Sequence, residues 1–175
     1  MPALLSQLTG EEWRTLGPQT AAQKFFAEYY KTVDSAAFNY GTGSRFYADD
    51  MVFHNQNNAA YHGGEQMWAW MQSMFNQFGN LKHDILASWD IQQDDGSNML
   101  FIQMIRHVWA KGNKTDKPDV SAPAFWRCRI AKSDDPRAFA GLQYKEVWLF
   151  WDTMLLAPIM PKDAVVFSTK NVVEG

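Results

Sequence analysis

Apolar residues recur along this chain with two periods, a helical one in the first half and an alternating one in the second. Between residues 20 and 32, Ala21, Phe25, Phe26, Tyr29 and Tyr30 fall on one helical face behind Pro18, which predicts an amphipathic helix. A second, short helix is predicted over 38–47. Ala48-Asp49-Asp50 then leads into a strand at 51–55, the polar run 55–58 marks a turn, and Ala60-Tyr61-His62 returns. Glu65 opens a third helix after Gly63-Gly64. Its Met67, Trp68, Trp70, Met71, Met74 and Phe75 cover more than one face, as a largely buried helix requires. Four strand-like stretches follow, at 81–91, 99–110, 121–130 and 139–156, joined by turn-rich segments. Helices first and antiparallel hairpins last is an α+β pattern.

No repeat, low-complexity tract or Pro/Ser linker divides the sequence, so the expectation is a single domain over 1–175. Its core is expected at about 20–156, and 157–175 forms a C-terminal arm that Pro158 and Pro161 separate from the last strand. The arm is expected to cover the pocket or a dimer contact.

Composition narrows the function classes. A net charge of −3 gives no basic excess to attract phosphate backbones, which argues against nucleic acid as a partner. No stretch approaches the length of apolar residues needed to span a bilayer, and the first residues lack the pattern of a signal peptide. The lone Cys128 lies in an apolar strand and reads as a reduced, buried thiol, which fits a cytoplasmic location. Aromatic residues make up 15% of the chain, with 8 Trp, more than a core of this size needs for stability. Such an excess lines pockets or interfaces.

Three local patterns resemble the SnoaL-like and scytalone dehydratase-like branch of the nuclear-transport-factor-2-like superfamily. Tyr47-Ala48-Asp49-Asp50-Met51-Val52-Phe53-His54 followed by Tyr61-His62-Gly63-Gly64-Glu65 is similar to the family's acidic turn, first strand and Gly-initiated helix. Glu146 to Asp152 is similar to its last strand. His83 and His107, with Ser121 and Phe139-Ala140-Gly141-Leu142 downstream, resemble the dehydratases, whose two pocket histidines are catalytic. The resemblance implies a cone-shaped barrel: a strongly curved, mainly antiparallel sheet wrapped by three N-terminal-half helices around a central pocket. It also implies a cofactor-independent lyase or isomerase acting on a small hydrophobic natural-product intermediate. Two positions depart from the pattern. The dehydratase tyrosine and the isomerase carboxylate both fall near Asn55, where an amide cannot serve as base, and the dehydratase pocket asparagine falls near Pro123.

Strand alternation groups His83, Ile85, Ala87, Trp89 and Ile91 on one face, and Met99, Phe101, Gln103, Ile105 and His107 on one face of the next strand. Both imidazoles then lie in an apolar setting as candidate general acid and base. Glu146, in an apolar strand, is a third candidate. In one register it faces the pocket with Tyr144 and Trp148. In the other, Val147, Leu149 and Trp151 face inward and Glu146 pairs with Arg127 or Arg129 outside. Tyr30 is a candidate phenol donor to developing negative charge, a role the resemblance implies. Phe53, Asn55, Trp68, Trp89, Phe125, Arg127, Tyr144 and Trp148 complete the expected substrate-contacting set. The four histidines lack the spacing of a preformed metal site, and neither a dinucleotide loop nor a nucleophile elbow is present. A homodimer through the outer sheet face is expected, because only one apolar face of the last strand can line the pocket. The rival reading is a non-catalytic module that binds small molecules or partner proteins.

Overall fold

The computed structural model describes residues 1–55 and 60–160. Part of the expected turn at 55–58, and all of the expected arm beyond residue 160, lie outside the described residues. The strands are β1 (Ala3–Thr9), β2 (Tyr47–Asn55), β3 (Ala60–His62), β4 (Phe78–Gln92), β5 (Asn98–Ala110), β6 (Val120–Lys132) and β7 (Leu142–Trp151). The helices are α1 (Gly10–Leu16), α2 (Ala21–Val33) and α3 (Gly64–Phe75). The strands form one sheet in the order β1-β4-β5-β6-β7-β2-β3, antiparallel except where β2 runs parallel to β7.

Helix α2 starts where the sequence caps it. The Thr20 hydroxyl accepts from the Gln23 N–H and the Gln23 side chain reaches back to the Thr20 backbone, a reciprocal capping box. Its apolar face enters the curled sheet: Phe25 packs edge-on against Tyr144 with centroids 4.9 Å apart, and Phe26 against Trp126 at 6.3 Å. Helix α3 closes another side, with Trp68 near Phe38 and Trp70 near Tyr61.

The predicted helix over 38–47 does not form. Short 3-10 turns at Ala36–Tyr40 and Gly43–Arg45 stand there instead, and Tyr47 already belongs to β2. Backbone contact decides this. A Cβ on Gly43 would lie 2.5 Å from the Gly64 carbonyl oxygen, and one on Gly64 would lie 2.6 Å from the Tyr47 Cβ, so the two glycines let the turn, β2 and the start of α3 meet. The third helix of the N-terminal half is α1, which follows the edge strand β1; neither was predicted. Strand β1 extends the sheet by pairing with β4, and Thr9 caps α1 through a second capping box with Glu12. Among the described residues, no helix is long and apolar enough to cross a membrane.

Candidate functional site

Four side chains from three elements meet where the end of α2 crosses β4 and β5. Tyr30 lies on the last turn of α2 and Asp34 is its C-terminal cap, held by its N–H to the Tyr30 carbonyl at 2.8 Å. Four residues apart, the two side chains emerge on one side of the helix. In the β4–β5 ladder His83 stands opposite Arg106, and both side chains point inward.

A continuous hydrogen-bonded chain results. The Asp34 carboxylate takes the His83 backbone N–H at 2.9 Å through one oxygen and contacts His83 Nδ1 at 2.6 Å through the other. His83 Nε2 accepts from Arg106 Nε at 2.8 Å. Because a guanidinium can only donate, Nε2 carries the lone pair and Nδ1 carries the proton, so His83 is a neutral imidazole with its tautomer fixed from both sides. Burial, followed by the Arg106 charge, holds the His83 pKa below its ordinary value, although Asp34 acts in the opposite direction. Burial likewise lowers Arg106 to about 10, still a cation at neutral pH. The guanidinium carbon lies 4.3 Å from the Trp151 ring centroid and 5.3 Å from that of Phe75, and its Nη1 has no hydrogen-bond partner.

The chain separates two spaces. Outside is a groove of about 1080 Å³ between α1, α2 and β4, where Trp13, Glu28, Tyr30, Asp34, Lys82 and His83 line the walls. Inside the cone is a void of only about 10 Å³, bordered by Tyr30, His83, Arg106, Phe75 and Trp126. Tyr30 and His83 border both. Deeper in the interior the Tyr29 and Tyr47 hydroxyls share a hydrogen bond of 2.7 Å, while the Tyr144 hydroxyl has no partner. Burial raises the pKa of all three phenols. Among the described residues, no group of three or more His, Cys, Asp or Glu converges to hold a metal ion.

The expected pairing of His83 with His107 in one cavity is corrected. On β5 the inward set is Leu100, Ile102, Met104, Arg106 and Val108, so His107 lies on the outer face. There its Nδ1 meets Ser121 Oγ at 2.8 Å and its Nε2 meets Asp84 at 3.2 Å. Both faces of β5 are apolar, and Arg106, the residue that marks one face as polar, is buried against aromatic rings. Trp89 is displaced for a different reason. A register shift between Ile85 and Ala87 inserts one residue into β4, so Ser88 and Asp90 point inward and Trp89 outward.

On β7 the outer register holds for Glu146. Val147, Leu149 and Trp151 are buried, and Glu146 contacts His54 at 3.0 Å rather than an arginine. Trp148 shares that outer face, stacked on His54 with centroids 4.7 Å apart and under the Arg127 guanidinium at 4.1 Å. Phe125 is also outside, near Phe101 and Phe150. Glu146, Trp89, Phe125, Arg127 and Trp148 are thus corrected from pocket to exterior. Phe53, Trp68 and Tyr144 are inside but wholly packed: Phe53 lies near Trp126, and Trp68 donates its Nε1–H to the Gly41 carbonyl at 2.9 Å. Asn55 is buried at the end of β2. Of the predicted set, only Tyr30 and His83 meet at this site. Asp34 and Arg106 were missed. Alternation carried the signal for Arg106, which shares its face with four apolar residues of β5. Asp34 has no comparable signal, since a helix cap gives no hint of a contact 49 residues away.

Residues 22–134 match the family model of the SnoaL-like domain. No curated protein matches the chain by sequence. Among solved structures, ActVI-ORFA of Streptomyces coelicolor is similar at 14% identity and a TM-score of 0.59, covering 75% of this chain and 94% of its own. A protein described as a SnoaL-like polyketide cyclase, from Shewanella putrefaciens, is 14% identical with a TM-score of 0.58, covering 90% of this chain and 97% of its own. Nuclear transport factor 2 of Cryptosporidium parvum is 10% identical with a TM-score of 0.58, covering 84% of this chain and all of its own. At these identities the likeness is one of fold, and that fold is the curled sheet and helices described above.

Proposed function

Because the chain belongs to the SnoaL-like domain family, we propose that it is a cofactor-independent proton-transfer catalyst, a lyase or isomerase acting on a small hydrophobic carbonyl compound of polyketide type. The observation that carries this reading is the Asp34–His83–Arg106 chain set between groove and interior. In this mechanism, Asp34 fixes the imidazole and stabilises it once protonated, and His83 Nε2 takes a proton from carbon next to the carbonyl. The Tyr30 hydroxyl donates to the resulting enolate oxygen. Arg106 occupies Nε2 in the resting site and must turn its Nε–H away before His83 acts as a base. The return of the same proton to a different carbon gives isomerisation, and loss of a hydroxyl as water gives dehydration.

One observation favours the alternative of a binding module. The interior void of about 10 Å³ is the size of a single water, so the ligand must rest in the groove or displace side chains. Exchange of carbon-bound hydrogen separates the two readings without knowledge of the natural substrate. With 2-tetralone in D2O, followed by NMR, the protein is expected to accelerate loss of the α-proton signal. His83→Gln is expected to lower that acceleration roughly a hundredfold, with His107→Gln close to wild type. No acceleration by the wild-type protein, or equal losses in both variants, would leave only the binding module.

We propose also that the protein is a homodimer joined through the outer sheet face, where Phe125 and Phe150 are exposed beside Phe101. Contiguous aromatic surface of this kind is costly in water. Sedimentation at micromolar concentration is expected to give twice the 20.1 kDa mass of the chain, and Phe150→Asp to shift it toward one chain. A wild-type protein that sediments as a monomer would refute the dimer.

A further inference from the structure

A guanidinium buried to 2% exposure is unusual unless a carboxylate meets it directly. Arg106 has no such partner. Its Nε is committed to His83, its nearest acid, Asp34, is screened behind that ring, and its Nη1 meets no acceptor. The aromatic faces of Trp151 and Phe75 steady the cation without neutralising it. Arg106 borders the small void, and Tyr30 and His83, which border it too, also line the groove.

The groove supplies an independent observation. Arg14, Lys24, Lys31 and Lys82 line it, and among the described residues only Lys82 of these is in an ion pair, with Asp84 at 3.2 Å. Of the groove's acids, Glu28 pairs with Arg45 at 3.1 Å and Asp34 contacts His83. Among the described residues, the groove that adjoins Arg106 through Tyr30 and His83 therefore holds three cations outside any ion pair, a field that draws anions toward it.

We propose that Arg106 is the anchor for an acidic group, a carboxylate or an enolised 1,3-dicarbonyl, so that the ligand of this site is an aromatic or polyketide-like organic anion. The acid takes the N–H groups of the guanidinium in the fork geometry that carboxylates favour. In doing so it draws Nε away from His83, so anion binding frees Nε2. A charged ligand thereby raises the share of molecules in which Nε2 is free, whereas a neutral ketone such as 2-tetralone reacts only through the share that opens unaided. This names the ligand class of the same site and rests on the reading that a small organic molecule binds there.

Binding alone tests it, through the fluorescence of Trp126 and Trp151 near Arg106, with 2-naphthoate and its neutral isostere 2-naphthamide as probes. Wild-type protein is expected to bind the acid at least tenfold more tightly than the amide, and Arg106→Met to lose that preference. His83→Gln is expected to keep the preference while losing 2-tetralone exchange, so failure of the anchor and failure of the catalyst are told apart. Equal affinity for acid and amide in the wild type overturns the proposal, as does the absence of naphthoate binding up to millimolar concentration. A preference that persists in Arg106→Met also overturns it, because the groove lysines would then be responsible. Should Arg106→Met fail to fold, the wild-type comparison still decides, with Arg106→Gln as the second variant.

Discussion

Replacing Asp34 with Ala is expected to slow 2-tetralone exchange by roughly a hundredfold, as much as His83→Gln, because Asp34 acts through that imidazole. The carboxylate is the acceptor for both the Nδ1 proton and the backbone N–H of His83, so its removal releases the tautomer and leaves two buried donors without partners. It also removes the acid nearest to the buried Arg106 charge. Asp34 retains some solvent contact, which reduces the cost, and a stability loss of about 2–3 kcal/mol is expected in urea denaturation. Asp34→Asn separates the two effects, since its amide oxygen can still accept one N–H but carries no charge. It should recover much of the stability and little of the exchange. Full exchange in Asp34→Asn would mean that the carboxylate only positions His83 and takes no part in stabilising its protonated form.

The pH dependence of this pair has a definite sign. His83 is held neutral in the folded protein, whereas an unfolded histidine binds a proton below about 6.5. Below that value the unfolded state binds more protons, so stability falls as the pH falls. Exchange should decline only at lower pH, as the pH falls through the depressed folded value of His83 and the proton takes Nε2.

Alkali is expected to unfold the protein cooperatively before pH 12, with tyrosinate absorbance from the buried phenols appearing together with the loss of circular dichroism. Tyr29, Tyr47 and Tyr144 all have pKa values raised by burial, and so does Cys128. Groups of this kind stabilise the fold fully below their unfolded values and lose that contribution as the pH rises toward their folded ones. Arg106 works in the other direction, because its folded value is lowered to about 10. Four groups against one leave a net loss of about 4 kcal/mol per pH unit above pH 10, so two units remove about 8 kcal/mol, comparable to a typical stability of about 5–15 kcal/mol. Gradual, non-cooperative titration of these phenols in a protein that stays folded at pH 12 would show that their hydroxyls reach water. Tyr144→Phe should move the transition to higher pH, because its hydroxyl has no partner to lose.

The sequence by itself determined the elements whose reasons are local. Thr20 and Gln23 cap α2, the heptad-like spacing of Phe25, Phe26 and Tyr29 gives it a buried face, and the alternation of β5 and β6 makes them long strands. The order helix, helix, short hairpin, helix and long meander, with three local motif matches, pointed to the family although the second helix does not form, since order and spacing survive where identity does not. It also placed Tyr30 and His83, which lie on elements whose inward face is marked by apolar neighbours. Only the tertiary structure decided the rest. One extra residue in β4 turned Trp89 outward, and such a bulge leaves no trace in periodicity. Where both faces of a strand are apolar, as in β5 and β7, alternation names two faces but cannot choose between them. Packing chose, by giving the inner face to the set that fits against α2 and α3. That choice put Arg106 inside and His107 and Glu146 outside. The site itself joins a helix cap to two strands across 49 and 72 residues of chain, and hydrogen bonds between such distant groups exist only once the fold has closed.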